Sequence, residues 1–393
     1  MTRSTDRILT THVGSLPRPA YLLPTLYAKT RGEAYDPAAH EKALQTSIND
    51  VVRRQVECGM DIVNDGEHDK SSFAAYTHLR LGGFEPVPAA ARTAPEKTRD
   101  MIAFPDVYRQ MDEASEKIRA TRQKPRAQEM RCVAPVTYTG LDELNAGIAR
   151  LKTALNGLNP ADAFITALSP TNVERRNPNV YYKTQEEYLF ALADAMRVEF
   201  KAIVDAGFQV QVDDPRLVSH YDRSPNATLA EVRKVMALHV EVTNHSLKGI
   251  PEDRVRFHTC YSVNVAPRAH DMELKDYVDL MLKINASSYS FEGANPRHEH
   301  EWQVWEDVKL PQGKVLLPGV VSHCVYQVEH PELVAQRIER FAKFAGRENV
   351  IASTDCGFAT AAAGDEVHPD VAWAKLSALS DGAALASKRL WAR

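Results

Sequence analysis

Val255-Arg256-Phe257-His258-Thr259-Cys260-Tyr261-Ser262 is a strand-like run that ends in polar residues, and Ser353-Thr354-Asp355-Cys356-Gly357 ends a second such run far downstream. Side chains alternate faces along a strand, so His258 and Cys260, two apart, project to the same side. An imidazole and thiolates are donors that zinc takes, and three protein ligands with one open position make a catalytic rather than a structural site. Cys356 is the third donor of that set. His-x-Cys alone arises by chance, and a buried strand cysteine is more often a small hydrophobe than a ligand. What lifts this pattern above chance is position: each donor stands where an apolar run meets a polar turn, which is where an α/β barrel gathers its catalytic residues.

The same grammar recurs on either side of these runs. Ile8-Leu9-Thr10-Thr11-His12-Val13 is β-rich and is stopped by Gly14-Ser15-Leu16-Pro17-Arg18-Pro19. Apolar residues at helical spacing from Glu41 to Cys58 lead into Asp61-Ile62-Val63-Asn64-Asp65-Gly66-Glu67, a second strand ending in acids. Further strands are expected at Ala163–Pro170, Phe208–Pro215, Ser287–Gly293, Lys314–Val321 and Val350–Cys356. Helices are expected at Gln185–Ala206, Leu229–Leu247, Leu274–Ile284 and Glu332–Ala345. Residues 71–160 break the rhythm with Pro86, Pro88, Pro95 and Pro105. Met130–Thr137 is a ninth strand candidate for eight barrel places, and the run near Val133 is assigned to that insertion. The expectation is one catalytic domain over residues 1–393, a TIM (β/α)8 barrel with a long insertion after the second strand.

Composition narrows the function. With 393 residues and a net charge of −4 the chain shows no basic footprint for nucleic acid, and no apolar run is long enough for a bilayer. Met1-Thr2-Arg3-Ser4-Thr5-Asp6-Arg7 lacks the apolar core of a signal peptide, so a cytoplasmic protein is expected. Five cysteines, odd in number and widely spaced, speak for reduced thiols rather than a disulfide framework. Cys58, at a helix end before Gly59, and Cys132 are read as packing residues.

Glu292 ends the strand between those of Cys260 and Cys356 and is the fourth candidate ligand, ahead of His298 and His300 in a charged stretch that reads as an exposed helix start. His323 and Cys324 lie at another strand end, and on a continuing strand they would point to opposite faces. Asp65 with Glu67, and Asp213 with Asp214, also end strands; such carboxylates bind an ammonium or hold a proton, or else cap the next helix. A cap accounts for one of Asp213 and Asp214 but not for both. Zinc with two thiolates suits activation of a thiol for attack on an alkyl carbon, with water activation for hydrolysis, Glu67 or Asp213 being the base, as the competing use.

These motifs, in order, resemble the catalytic barrel of the cobalamin-independent methionine synthase family and its shorter relatives, which include epoxyalkane:coenzyme M transferase. Thr11-His12-Val13-Gly14-Ser15-Leu16-Pro17 is similar to the opening strand and loop, Asp65-Gly66-Glu67 to the acidic turn, and Gln211-Val212-Asp213-Asp214-Pro215 to the family's Q-I-D-E-P. His258-Thr259-Cys260, Glu292 and Asp355-Cys356-Gly357 resemble its zinc set. The resemblance implies a TIM barrel with Zn2+ on His258, Cys260, Glu292 and Cys356. It places the amino-acid part of homocysteine on Ser15, Glu67 and Asp213, and gives His323 a general-acid role beside Glu67 and Asp213. The chain is about half the length of the two-barrel enzyme, and Ala167-Leu168-Ser169-Pro170-Thr171-Asn172 lacks the tryptophan that packs on folate there. The function expected is zinc-dependent methyl or alkyl transfer, in methionine biosynthesis, from a folate-like or other donor to a small-molecule thiol such as homocysteine. The alternatives are addition of coenzyme M or a similar thiol to an epoxide, and a zinc-retaining barrel that binds an amino acid or thiol or hydrolyses something.

Overall fold

The structure, a computed structural model, describes residues 2–88, 97–122, 129–261, 266–362 and 367–392; Ser262 and Pro95 lie outside the described residues. Its strands, in chain order, are β1 (Leu9–Thr10), β2 (Ile62–Val63), β3 (Leu81–Pro86), β4 (Met130–Tyr138), β5 (Asp162–Leu168), β6 (Gln209–Asp213), β7 (Val255–His258), β8 (Ser288–Phe291), β9 (Val315–Val321) and β10 (Ile351–Thr354). Eight of them form one parallel sheet in the order β1-β10-β9-β8-β7-β6-β5-β2. Asp61 N donates to Thr10 O (3.0 Å) and Thr11 Oγ1 to Ile62 O (3.1 Å), which brings β1 to β2 and closes the sheet into a TIM-type barrel.

Period-two alternation decides what fills this barrel. On β6 and β7 the apolar members Val210, Val212, Val255 and Phe257 join the large core that includes Leu192, Met196 and Phe200 of the helix Gln185–Asp205. A separate small cluster of Leu9, Ile62, Phe164, Val315, Leu317 and Ile351 comes from the strands alone. Above it the inward residues turn polar. Arg256 is fully buried, with its guanidinium 3.8 Å from the centroid of the Phe164 ring, and it donates to Thr11 Oγ1 and His12 O, both at 3.1 Å. Burial pushes Arg256 down to about 9. Strand register sets the next level: Leu168 pairs with Asp213, Asp213 with His258 and His258 with Ser290, so these residues form one row across four strands.

The outer helices follow ordinary rules. Pro37–Glu57 starts at Asp36, whose carboxylate accepts from Ala38 N and Ala39 N, carries Pro at its first position, and stops where Gly59 takes φ 87°. It buries Leu44, Ile48, Val51 and Val52 on one face. The expected helix Leu274–Ile284 is instead a 3-10 turn, Leu274–Asp276, and a four-residue helix, Val278–Met281. Tyr277, at φ −141°, breaks it because its buried ring packs on Tyr261 and its hydroxyl meets the Tyr261 hydroxyl at 3.2 Å.

Between β2 and β5 the chain leaves the barrel. β3 pairs antiparallel with β4, so the run near Val133 belongs to a two-stranded sheet of its own. The helix Leu141–Leu155, inside the span read as insertion, buries Leu144, Ile148 and Leu151 and packs on Pro37–Glu57 in the barrel's outer layer. The helix Arg99–Ala103 is tied to the loop after β6: Arg99 donates to Tyr221 O, Ser224 O and Ala227 O at 3.0, 2.8 and 2.5 Å. All five cysteines are outside disulfides, and Cys132 is fully buried. No helix among the described residues is long and apolar enough to cross a membrane.

Candidate metal centre and substrate cleft

At the end of β7 the ladder runs on past His258, with Thr259 N donating to Ser290 O at 3.0 Å, and this carries Cys260 to the barrel mouth. At the end of β10, Asp355 N donates to Val321 O (3.0 Å) while the Asp355 carboxylate accepts from Gly293 N and Ala294 N at 2.8 and 2.9 Å. Gly319 makes that approach possible, since a Cβ there would lie 1.9 Å from Asp355 Oδ1. Cys356 is thereby delivered to Cys260, with Sγ atoms 3.2 Å apart. The donor atoms of His258, Cys260 and Cys356 all lie within 4.8 Å of one another, and all three residues are buried.

The chemistry of this donor set fits a zinc ion. The His258 Nδ1 position is taken by the Ser290 hydroxyl at 3.0 Å, while His258 Nε2 is buried without a hydrogen-bond partner. Burial pushes His258 down to about 3, so the ring is neutral and keeps a lone pair for a cation. The contact with Cys260, followed by burial, drives the Cys356 thiol well above its usual range. A divalent cation would replace the proton such a pair otherwise retains.

Glu292 stands beside this trio and outside the group whose donor atoms share the 4.8 Å limit. Its carboxylate accepts from Tyr261 N (2.9 Å), Arg268 Nη2 (2.7 Å) and Asn295 Nδ2 (2.7 Å). Burial disfavours the charge, but Arg268 and then His323 hold the Glu292 pKa below its usual value. His298 is corrected from exposed to buried, at 1% exposure: it stacks on Tyr261 with centroids 4.1 Å apart and bonds to Glu301 and Asp271 at 2.9 and 3.1 Å. Those two acids override burial and raise His298 to about 9. His300 is exposed. β9 ends at Val321, so His323 and Cys324 do not alternate as on a strand; Cys324 Sγ and His323 Nε2 touch at 2.9 Å.

The acids divide by role. Asp214 caps the helix Pro215–Ser219, accepting from Leu217 N at 3.2 Å. Asp213 lines a cleft of about 210 Å³ together with Ser15, Glu67 and the His258, Cys260 and Cys356 trio. Burial first, and then the Glu67 carboxylate, raise the Asp213 pKa well above the usual range. Asp65 accepts from Glu67 N at 2.9 Å, and burial raises it to about 6.

Glu67 takes φ 58°, a left-handed conformation that costs a non-glycine residue on the order of 1 kcal/mol or more. Arg18 Nη2 holds its carbonyl at 2.6 Å and Thr166 Oγ1 its Oε1 at 2.6 Å. The other oxygen, Oε2, is buried with no hydrogen-bond partner. Sequence reasoning missed the arginines of the cleft, Arg175, Arg176 and Arg223. The pair Arg175-Arg176 closes the short helix Pro170–Arg176, where basic residues serve the helix dipole in any protein.

A family model described as the catalytic domain of cobalamin-independent synthase matches residues 8–128 and 166–378. The chain belongs to this family. The stretch the family model leaves out holds β4 and the helix Leu141–Leu155. Among similar proteins, a methionine synthase of Sulfolobus acidocaldarius is 25% identical over 350 residues, covering 88% of this chain and 85% of that protein. One of Thermococcus kodakarensis is 24% identical over 351 residues, with 88% and 86% covered. A B12-independent methionine synthase of a Shewanella species, solved in complex with selenomethionine, superposes with a TM-score of 0.71 at 19% identity, over 98% of this chain and 100% of that one. A putative vitamin-B12 independent methionine synthase of Listeria monocytogenes gives 0.66 at 18%, with the same coverage. At such identities the structural likeness establishes the fold, which is the barrel the family resemblance implied.

Proposed function

We propose that this protein catalyses zinc-dependent transfer of a methyl group to the thiol of homocysteine. The observation that carries the reading is the buried, unpartnered Oε2 of Glu67, which lines the same cleft as Asp213 and the His258, Cys260 and Cys356 trio. A buried carboxylate oxygen without a donor is costly, and an ammonium would satisfy it. Family membership and relatives named methionine synthase support the same assignment.

On this reading His258, Cys260 and Cys356 would hold the zinc, and Glu292, which here accepts from Arg268 at 2.7 Å, would be the carboxylate available as a fourth ligand. Zinc, when bound, stabilises the thiolate form of a thiol at neutral pH, the form that attacks carbon. Glu67 and Asp213 receive the substrate ammonium, Asp213 releasing its proton as the positive charge arrives. Ser15 orients the amino-acid part; it lies close to Gly357, where a Cβ would stand 2.0 Å from Ser15 Oγ. The new sulfur–carbon bond forms as the donor's bond to the methyl breaks, and the leaving group takes a proton from His323. That ring is buried, and near enough to Glu292 and His258 to depress the pKa of both.

The runner-up, addition of an anionic thiol such as coenzyme M to an epoxide, would leave the buried Glu67 Oε2 without the cationic partner that the ammonium of homocysteine supplies. The deciding experiment is methionine formation by zinc-loaded protein from homocysteine and a panel of methyl donors, beside calorimetry with homocysteine and coenzyme M. Binding of coenzyme M but not homocysteine would overturn the proposal.

A further inference from the structure

Many arginines of this protein sit on an acid, and others, such as Arg18, Arg99 and Arg256, spend their donors on carbonyls or a hydroxyl. Arg7 sits on Asp61, Arg150 on Glu41, Arg233 on Asp279, Arg337 on Glu299 and Arg389 on Glu332. Arg175, Arg176 and Arg223 do neither: among the described residues none of the three lies within ion-pair distance of a carboxylate, and all three turn into the cleft. They come from neighbouring loops, Arg175 and Arg176 from the helix that follows β5 and Arg223 from just beyond the helix that follows β6, and all three line the cleft of the sulfur pair. Arg176 is steadied over the Phe73 ring at 5.2 Å. The two acids next to them in the chain are engaged elsewhere: Glu174 accepts from Gln185, and Asp222 accepts from Asp100 N at 3.0 Å. Burial, and after it the guanidiniums of Arg223, Arg176 and Arg216, push Arg175 down to about 9.

Three guanidiniums gathered in one cleft, with Glu174 and Asp222 nearby but none of the three in an ion pair, suit a bound anion, and their fork geometry matches oxyanions bidentately. The floor of the same cleft has the opposite sign, at Glu67 and Asp213. We infer that Arg175, Arg176 and Arg223 bind an oxyanion carried by the second substrate, the one that does not sit on the acid pair. This extends the reading in which an amino-thiol occupies the floor. The shared chemistry is a sulfonate, a phosphoryl group or paired carboxylates.

The test titrates zinc-loaded, full-length protein with ethanesulfonate, methylphosphonate and glutarate, with and without saturating homocysteine, by calorimetry or ligand-observed NMR. At least one probe binds, and the one that binds best identifies the anion. Its Kd rises about tenfold or more in Arg175→Gln and in Arg223→Gln, the loss of one charge-assisted contact. It is unchanged in Arg53→Gln, a solvent-facing arginine of the helix Pro37–Glu57. It also persists when homocysteine is present. The inference is overturned if no probe binds, if the rim variants bind as the native protein does, or if homocysteine displaces the probe, which would make the rim the seat of the amino acid's own carboxylate. Probe binding by a protein that ignores homocysteine would leave the rim site standing and remove the reading of the floor.

Discussion

Asp213→Asn separates what the fold prefers from what the substrate needs. In the native protein Asp213 is buried, accepts from Gln211 Nε2 at 2.9 Å and faces the charge of Glu67, so its pKa is raised by burial and then by Glu67. A carboxyl raised on folding is favoured in its protonated form. Its contribution to stability is therefore fully present below the unfolded value, roughly pH 3.9, and is lost as pH rises towards the folded pKa. Asparagine is nearly isosteric and carries no charge, so the variant matches the native protein near pH 4 and gains on it as pH rises. Homocysteine binding moves the other way: one charge-assisted hydrogen bond to the ammonium, about 1.5 to 3 kcal/mol, corresponds to about a ten- to hundredfold rise in Kd. Native binding also releases a proton, visible as a calorimetric heat that depends on the buffer's ionisation enthalpy, and the variant loses that dependence. Unchanged homocysteine affinity, or a stability gain that shrinks with rising pH, would refute the reasoning.

Cys260→Ser and Cys356→Ser abolish zinc retention after dialysis, whereas Cys58→Ser and Cys132→Ser keep about one zinc per chain; equal metal content in all four would show the wrong thiols were chosen. Glu292→Ala leaves Arg268 buried with Asp271, at 2.7 Å, as its remaining acid, and costs the zinc-free protein about 3 to 5 kcal/mol by denaturant titration. As the proposed fourth ligand its loss also weakens zinc retention, which metal analysis reads separately. Glu199→Leu removes the acceptor of Arg80 (3.0 Å), Tyr76 (3.1 Å) and Tyr138 (2.9 Å) and destabilises by about 3 to 5 kcal/mol; a denaturation midpoint within error of native would contradict this. Arg99→Ala frees the helix Arg99–Ala103 from three carbonyls, so limited proteolysis at 97–122 quickens while the barrel stays intact.

The barrel was legible because its strands and helices write two different periods into the chain, and the grouping of His258, Cys260 and Cys356 because imidazole and thiol are rare side chains at strand ends. The division between Asp213 and Asp214 was half legible: one cap uses one acid, and the structure assigns that acid as Asp214. What stayed hidden depends on contacts between distant segments. Nothing local marks Glu67 for a left-handed backbone, since Arg18 and Thr166 impose it from 49 and 99 residues away. His298 reads as exposed because its neighbours are charged, yet those charges, Glu301 and Asp271, are the partners that let it be buried. The helix expected over Leu274–Ile284 fails at Tyr277, whose propensity says nothing of the Tyr261 ring it must meet.

The row Leu168, Asp213, His258 and Ser290 has a consequence for how this protein can be altered. Each member faces the cleft or its wall only because four strands keep step, and a strand that loses one residue turns every side chain beyond the deletion to the opposite face. Removing one residue from β6 would turn Val212 toward the cleft and Asp213 toward the helices, whatever the quality of the rest. The sheet of β3 and β4 stands outside that row, yet it too is pinned, by Cys132 N to Pro178 O at 2.9 Å and by the Tyr138 hydroxyl to Glu199 at 2.9 Å. Inside the four strands the edit that keeps step is one letter for another.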